Sequence, residues 1–325
     1  MAKPVVLVTR KLPEGVQDRL AAMFDARLNP ADETWYRDGA EIVRRATETG
    51  AAGILCAAGD ALNVQTIAAL PPSVRILATF SVGTDHIDLA AARARGIAVA
   101  NTPEVLSFAT AEIAFTLMLM AARRAGEGER MVRAGAWTGW APTQLMGVTL
   151  EGKTLGILGF GRIGRELAQM ARGMRMTIHY RNRSRVAPEL EQGAVYHDND
   201  DSFLGAIDVL SMHIPGGAET RKWLDATRIA KLKRGAIVVN TGRGTTVDDE
   251  ALVAALRSGH LRAAGLDVYD GEPKVYPGYM DLENVALLPH LGSATIETRD
   301  AMGARCIENL EALLIKGQEP PYRAA

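Results

Sequence analysis

Residues 154–184 read TLGILGFGRIGRELAQMARGMRMTIHYRNRS, and the order of patterns inside them decides the fold. Residues 154–158 form an apolar run of strand length, residues 163–173 have helical spacing, and residues 176–180 predict a second strand. Gly159, Gly161 and Gly164 fall between strand and helix in the spacing G-x-G-x-x-G. The first glycine permits a tight turn, the second lets backbone approach a pyrophosphate, and the third lets the helix pack closely on the strand. In a chain with 32 glycines the spacing alone arises easily. Set between a strand and a helix, it predicts a dinucleotide site with the diphosphate at the positive end of the helix dipole.

The end of the second strand discriminates between cofactors. About twenty residues past the first glycine, sites for NAD place an acid on the ribose 2′-hydroxyl. Here the tip reads Tyr180-Arg181-Asn182-Arg183-Ser184-Arg185, without an acid. Two or three guanidinium forks with Asn182 and Ser184 suit a 2′-phosphate, which arginine binds bidentately. The expected cofactor is NADP(H), with NAD(H) as the alternative. A merely solvated basic turn is the other reading of the same residues.

At 325 residues, 47% hydrophobic and 23% charged, the chain has ordinary globular composition and room for two cores. A net charge of −1 points away from nucleic acid or a membrane surface as the main partner. Cys56 and Cys306 stand far apart in apolar contexts, so buried thiols, no disulfide framework and no metal site are expected. The opening MAKPVVLVTR enters a strand without a targeting pattern, and the longest apolar run, residues 113–122, is about half of what a bilayer needs. A cytoplasmic protein is expected.

Strand and helix patterns alternate from the start. Residues 5–9, 54–56, 74–80 and 97–100 read as strands, with helical spacing over 16–24, 62–70 and 88–95. Such alternation means βαβ units and a parallel sheet. Ala57-Ala58-Gly59 and Ser81-Val82-Gly83-Thr84 follow strands, at the carboxyl ends where parallel sheets bind ligands. Val82 and Gly83 there offer backbone N–H groups to a carboxylate. Residues 103–133 read as one long helix. The loop after it holds Trp137 and Trp140, whose packing partner is either a second subunit or the chain's own core.

Beyond the opening stretch, residues 207–211, 236–240, 263–268 and 285–288 read as strands, each ending in polar residues. Residues 294–316 are helical and return to the first domain. The predicted fold is α/β, with two doubly wound parallel-sheet domains. Residues 1–101 plus 291–325 form one, and residues 102–290 are inserted as the other.

A nicotinamide cofactor moves a hydride, so the protein must supply a proton and an anchor. Histidine is the natural donor near neutral pH. His86 is one of six; His179 falls within a strand, His197 in an acidic polar loop and His260 at a helix end, all three structural positions. His213 and His290 follow apolar strands on the active face, and only His290 has Gly292 and Ser293 beyond it for close backbone approach. Glu272 would accept a hydrogen bond from His290, fixing its tautomer and favouring imidazolium. Arg243 offers a fork for a carboxylate.

G-F-G-R-I-G at 159–164, H-I-P at 213–215, V-V-N-T-G-R-G-T-T-V-D-D-E-A-L at 238–252, L-D-V-Y-D-G-E-P at 266–273 and L-P-H-L-G-S-A-T at 288–295 together resemble the D-2-hydroxyacid dehydrogenase family. S-V-G-T-D-H-I-D at 81–88 and Y-R-N-R-S at 180–184 resemble its glyoxylate/hydroxypyruvate reductases. The resemblance runs in order along nearly the whole chain. It implies a flavodoxin-like substrate domain and a Rossmann cofactor domain, with the active site in the cleft between them. Arg243, Glu272 and His290 would be catalytic, and Val82, Gly83, Arg243 and His290 would hold the substrate. The cofactor would meet Thr110, the three glycines, Arg162, Ile163, Arg181, Asn182, Arg183, Ser184, His213, Ile214, Pro215, Thr220, Thr241, Gly242 and Gly292, with Asp267 on the carboxamide.

The implied activity is NADPH-dependent reduction of glyoxylate to glycolate and of hydroxypyruvate to D-glycerate, His290 giving the proton. The family is usually a homodimer through the cofactor domain, where a loop tryptophan such as Trp140 can reach the partner's active site. Gly242 stands where many relatives have alanine, a difference expected to matter little. No regulatory extension follows about residue 320, unlike the long phosphoglycerate dehydrogenases. A D-lactate or phosphoglycerate-type dehydrogenase stays open, as does a non-enzymatic NAD(P)-sensing protein like the related corepressors.

Overall fold

The structure is a computed structural model that describes residues 2–31 and 38–325. The chain divides into two compact units, one running to Leu106 and resuming over Ala294–Ala325, the other Ser107–Ser293.

The first unit is built on parallel strands β1 (Val5–Val8), β2 (Asp25–Arg27), β3 (Gly53–Cys56), β4 (Ile76–Thr79) and β5 (Ala98–Ala100), in the order β2-β1-β3-β4-β5. Helices α1 (Glu14–Met23), α2 (Gly39–Thr49), α3 (Val64–Ala69) and α4 (Leu89–Ala94) connect them. β3 and β4 are buried at every residue, as strands covered on both faces must be. This is the flavodoxin-like order, and its direction reverses between β1 and β3.

The second unit opens with α5 (Ser107–Arg123) and α6 (Ala125–Arg133). The single helix expected over 103–133 is therefore absent. Glu104, at φ 75, delays its start, and Arg124, at φ 53, breaks it. A left-handed residue cannot continue the i to i−4 ladder. Then follow β6 (Thr154–Leu158), α7 (Arg162–Gly173), β7 (Thr177–Arg181), α8 (Pro188–Glu191), β8 (Val195–His197), α9 (Asp200–Ala206) and β9 (Val209–Met212). α10 (Ala226–Lys231), β10 (Ala236–Asn240), α11 (Asp249–Arg257), β11 (Leu261–Leu266) and β12 (Val285–Leu287) complete the unit. The sheet order is β12-β11-β10-β9-β6-β7-β8, all parallel, reversing between β6 and β9. His197, expected in a loop, lies in β8, and Asp267, expected inside a strand, lies just past β11.

Helix α12 (Ile296–Leu314) returns to the first unit. A Cβ at its Gly303 would sit 2.4 Å from Val16 of α1, and one at Gly53 of β3 would sit 3.0 Å from Leu310 and Leu314, so the absent side chains set both contacts. Cys56 and Cys306 are buried free thiols, both pushed up by burial. Among the described residues no helix is long and apolar enough to cross a membrane, and no group of three His, Cys, Asp or Glu could hold a metal.

Candidate active site

The carboxyl ends of β6 and β9 meet where the sheet order reverses, which is where open α/β sheets bind ligands. Gly159 follows β6 at φ +93, and a Cβ there would lie 2.9 Å from the His213 carbonyl carbon. A Cβ at Gly164 would lie 2.6 Å from Gly159 O, so α7 rides directly on the turn. Around Gly161 nothing lies within 4 Å of an added Cβ. The neighbouring helices α9, α10 and α11 are capped by Asn199, Asp225 and Asp248, whereas α7 has no side-chain cap at Gly161. An open glycine at an uncapped helix N-terminus fits a pyrophosphate.

The arginines of the β7 tip are not equivalent. Arg181 Nε lies 3.2 Å from Asp200 Oδ1, whose Oδ2 also accepts from Arg228 Nε at 3.0 Å. Arg185 makes a bidentate pair with Glu191 at 2.7 and 2.8 Å, and the Tyr180 hydroxyl donates to the same carboxylate at 2.5 Å. The expected third fork is thus engaged within the protein. Arg183 is 95% exposed, with Glu219 3.9 Å away. Asn182 is a strut as well: its Oδ1 accepts from Phe160 N at 2.7 Å and ties the tip to the glycine turn.

Next along the sheet, His213 has Ser211 Oγ 2.9 Å from Nε2 and Thr241 Oγ1 3.3 Å from Nδ1. Burial pulls its pKa down to about 4, so the ring is neutral near pH 7 and braces β9 to β10. The Thr220 hydroxyl donates to Pro215 O at 2.7 Å, closing the loop after Ile214. A Cβ at Gly242 would lie 2.8 Å from Ile214 O and 3.3 Å from Met212 O. The expectation that alanine at 242 would matter little therefore fails here, because the two strand-end loops are packed too closely.

The remaining strand ends form one bonded constellation. His290 Nδ1 lies 2.7 Å from Glu272 Oε2, and Glu272 Oε1 accepts from Tyr269 N at 3.0 Å. Burial pulls the Glu272 carboxyl up, but the His290 contact, the Tyr269 N–H and nearby Arg243 outweigh it, and its pKa lies below the usual value. His290 N donates to Asp267 O at 2.9 Å, which holds the residue at φ 56. The Asp267 carboxylate accepts from Leu291 N at 2.6 Å and Gly292 N at 2.8 Å, while its burial pushes the carboxyl up. A Cβ at Gly292 would be 3.3 Å from Thr110 of α5, so Thr110, Asp267 and Gly292 converge. Arg243 Nη1 donates to Gly242 O at 2.8 Å, and Arg243 O accepts from Asn240 Nδ2 at 2.9 Å.

The first unit carries its own strand-end loops. Asp60, 1% exposed, accepts from Thr9 Oγ1, Arg10 Nη2 and Ala57 N at 2.6, 2.5 and 2.8 Å, fixing the loop after β3. In the loop after β4, Asn101 Nδ2 donates to Val82 O at 2.8 Å.

Sequence reasoning passed over Asn240, Tyr269 and Asp60. Asn240 ends a strand buried at every residue and also receives Gly242 N at 3.0 Å; a polar residue closing an apolar run was its signal. Tyr269 donates its hydroxyl to Leu288 O at 2.8 Å, joining the loops that carry Glu272 and His290. Leu288, the partner that makes this link, lies 19 residues on, so no local pattern announced it.

Residues 115–292 match the family model described as D-isomer specific 2-hydroxyacid dehydrogenase, NAD binding domain. A glycerate dehydrogenase of Hyphomicrobium methylovorum is 41% identical over 315 residues, 96% of this chain and 97% of that one. The crystal structure of a D-isomer specific 2-hydroxyacid dehydrogenase from Polaromonas sp. JS6 66 covers 100% of both chains at TM-score 0.93 and 46% identity. An NADPH-dependent glyoxylate/hydroxypyruvate reductase from Sinorhizobium meliloti, in complex with NADP and malonate, covers 100% of this chain and 97% of its own at TM-score 0.88 and 35% identity. On these matches, and with two parallel-sheet α/β domains, the chain is an oxidoreductase of the D-isomer specific 2-hydroxyacid dehydrogenase family.

Proposed function

We propose that the protein reduces small 2-keto acids with NADPH, converting glyoxylate to glycolate and hydroxypyruvate to D-glycerate. The observation that carries this reading is the 2.7 Å pair of His290 Nδ1 and Glu272. Glu272, ionised at neutral pH, accepts a hydrogen bond from Nδ1–H and leaves Nε2 to serve the substrate. When bound, the reduced nicotinamide supplies hydride to the keto carbon. His290 holds the proton that the new hydroxyl needs. Arg243 and the Val82 and Gly83 N–H groups bind the substrate carboxylate. Asp267 positions Gly292 and receives the carboxamide.

Two things support NADPH over NADH: the exposed Arg183 beside Ser184, and a relative described as NADPH-dependent. Glyoxylate and hydroxypyruvate are favoured by that same relative and by the glycerate dehydrogenase. The test is the loss of NADPH absorbance across a panel of 2-keto acids. Turnover led by glyoxylate and hydroxypyruvate is expected; preference for NADH, or for bulky keto acids, overturns the reading. A homodimer belongs to it too, supported by Trp137 and Trp140, which are 52% and 80% exposed. A monomeric mass in solution would remove that part.

A further inference from the structure

We propose that Ser81, Thr79 and His86 are positioning residues, forming a one-way chain of hydrogen bonds that holds Gly83 from its carbonyl side and so keeps the N–H groups of Val82 and Gly83 turned to the substrate carboxylate. This deepens the keto-acid reading and rests on it.

Ser81 Oγ lies 2.6 Å from Gly83 O, Thr79 Oγ1 lies 2.8 Å from Ser81 Oγ, and His86 Nε2 lies 3.0 Å from Thr79 Oγ1. Proton counting gives the chain its direction. A carbonyl only accepts, so the one Ser81 hydroxyl proton goes to Gly83 O. Ser81 then only accepts from Thr79, whose single proton is used there, in preference to the Cys56 sulfur beside it, a weak acceptor that gives its own proton to Ala78 O. Thr79 in turn accepts, so His86 carries its proton on Nε2. A neutral Nε2–H ring and an imidazolium both satisfy this, while an Nδ1–H tautomer does not.

What the chain achieves follows from peptide geometry. In a trans peptide the carbonyl and the next residue's N–H point in opposite directions. Ser81 O accepts from Thr102 N at 3.0 Å, and Val82 O accepts from Asn101 Nδ2 at 2.8 Å. Those two bonds turn the Val82 and Gly83 N–H groups to the other side, and among the described residues neither N–H has a hydrogen-bond partner. Gly83 is the weak joint, because glycine rotates more freely than any other residue. The Ser81 bond to Gly83 O pins the plane beyond it. Thr79 is fully buried and Ser81 is 9% exposed, so water competes poorly for these bonds.

The test compares Ser81→Ala, Thr79→Val, Thr79→Ser and His86→Leu in the full-length protein. It reads KM for glyoxylate, the inhibition constant of malonate, kcat, the NADPH dissociation constant and Tm. Ser81→Ala should raise KM and the malonate constant together by about tenfold, with kcat and NADPH binding within about twofold. Thr79→Val and His86→Leu should have progressively smaller effects, about threefold and below, because each leaves more of the chain intact. Thr79→Ser keeps a hydroxyl and should behave as wild type. A purely structural role would lower Tm and the active fraction without moving KM; that result overturns the proposal. So does a Thr79→Ser as impaired as Thr79→Val. If the wild type reduces no keto acid, the functional reading falls and takes this one with it. An active wild type with unmoved Ser81→Ala constants removes the positioning chain alone.

Discussion

Two ends of the same sheet are finished to different degrees. At the β11 and β12 ends, both oxygens of Glu272 and both of Asp267 have partners, and His290 is held through its ring and its backbone. At the β7 tip, Arg185 and Arg181 are paired with Glu191 and Asp200, while Arg183 extends into solvent at 95% exposure. The end assigned to proton transfer is organised before anything binds, so no reorganisation is needed during reaction. The end assigned to cofactor choice keeps a cation for a charge that the ligand brings. The two ends differ in how much is bonded: full pairing at Glu272 and Asp267, and at the tip one arginine whose neighbouring acid is itself exposed.

The sharpest way to break the comparison is His290→Ala. Turnover of glyoxylate should fall by roughly two to four orders of magnitude, the usual worth of a positioned acid. NADPH binding, followed by its fluorescence, should not change, since the tip is far along the sheet from β12. Unchanged turnover would sink the assignment. A smaller and opposite pattern belongs to the tip: replacing Arg181 and Arg183 together by alanine should lower kcat/KM for NADPH about 10- to 100-fold and leave NADH nearly untouched. An equal loss with both cofactors would mean the tip serves the fold rather than the phosphate.

The unevenness was only partly legible in the sequence. β6 and β10 stand at the residues their apolar runs and flanking glycines indicate, because short buried strands punctuated by glycine are governed locally. β8 is only the triplet Val195 to His197, paired only along β7, and three residues are too few for a local period to mark it. The break at Arg124 is equally silent, since a single left-handed residue leaves helical spacing intact on both sides. For the site, the residue types at strand ends and the Glu272–His290 hydrogen bond were readable, but the rest of the bonding was not. That Arg181 meets Asp200, or that Asp267 holds the backbone of residues 291 and 292, depends on which strands lie side by side.

The bonded end also carries a pH signature. Glu272 has its pKa lowered in the folded protein, so its contribution to stability is complete above the unfolded value of about 4.5 and is lost as pH falls through the lower folded value. Glu272→Gln should therefore flatten the acid side of a Tm-against-pH curve below about pH 4.5 and leave the neutral region unchanged. A variant curve parallel to wild type through that window would show that the carboxylate contributes nothing through its charge.

The smallest expected effect is the most discriminating, because it sets two arginines of one tip against each other. Arg185 and Arg183 are two residues apart and carry the same charge, so a tip that attracts NADPH by net charge alone loses equally from either. The structure separates them: Arg185 chelates Glu191, which also takes the Tyr180 hydroxyl, whereas Arg183 has only an exposed acid at 3.9 Å. Bidentate recognition of a phosphate needs a guanidinium fork that is not already committed. Arg185→Ala should thus change kcat/KM for NADPH by less than about twofold while lowering Tm by a few degrees, as Glu191 loses its partner beside Tyr180. Arg183→Ala should do the reverse, with about a tenfold loss for NADPH and no change in Tm. Equal kinetic losses from the two would return the tip to a diffuse basic surface and erase the distinction between its paired and unpaired arginines.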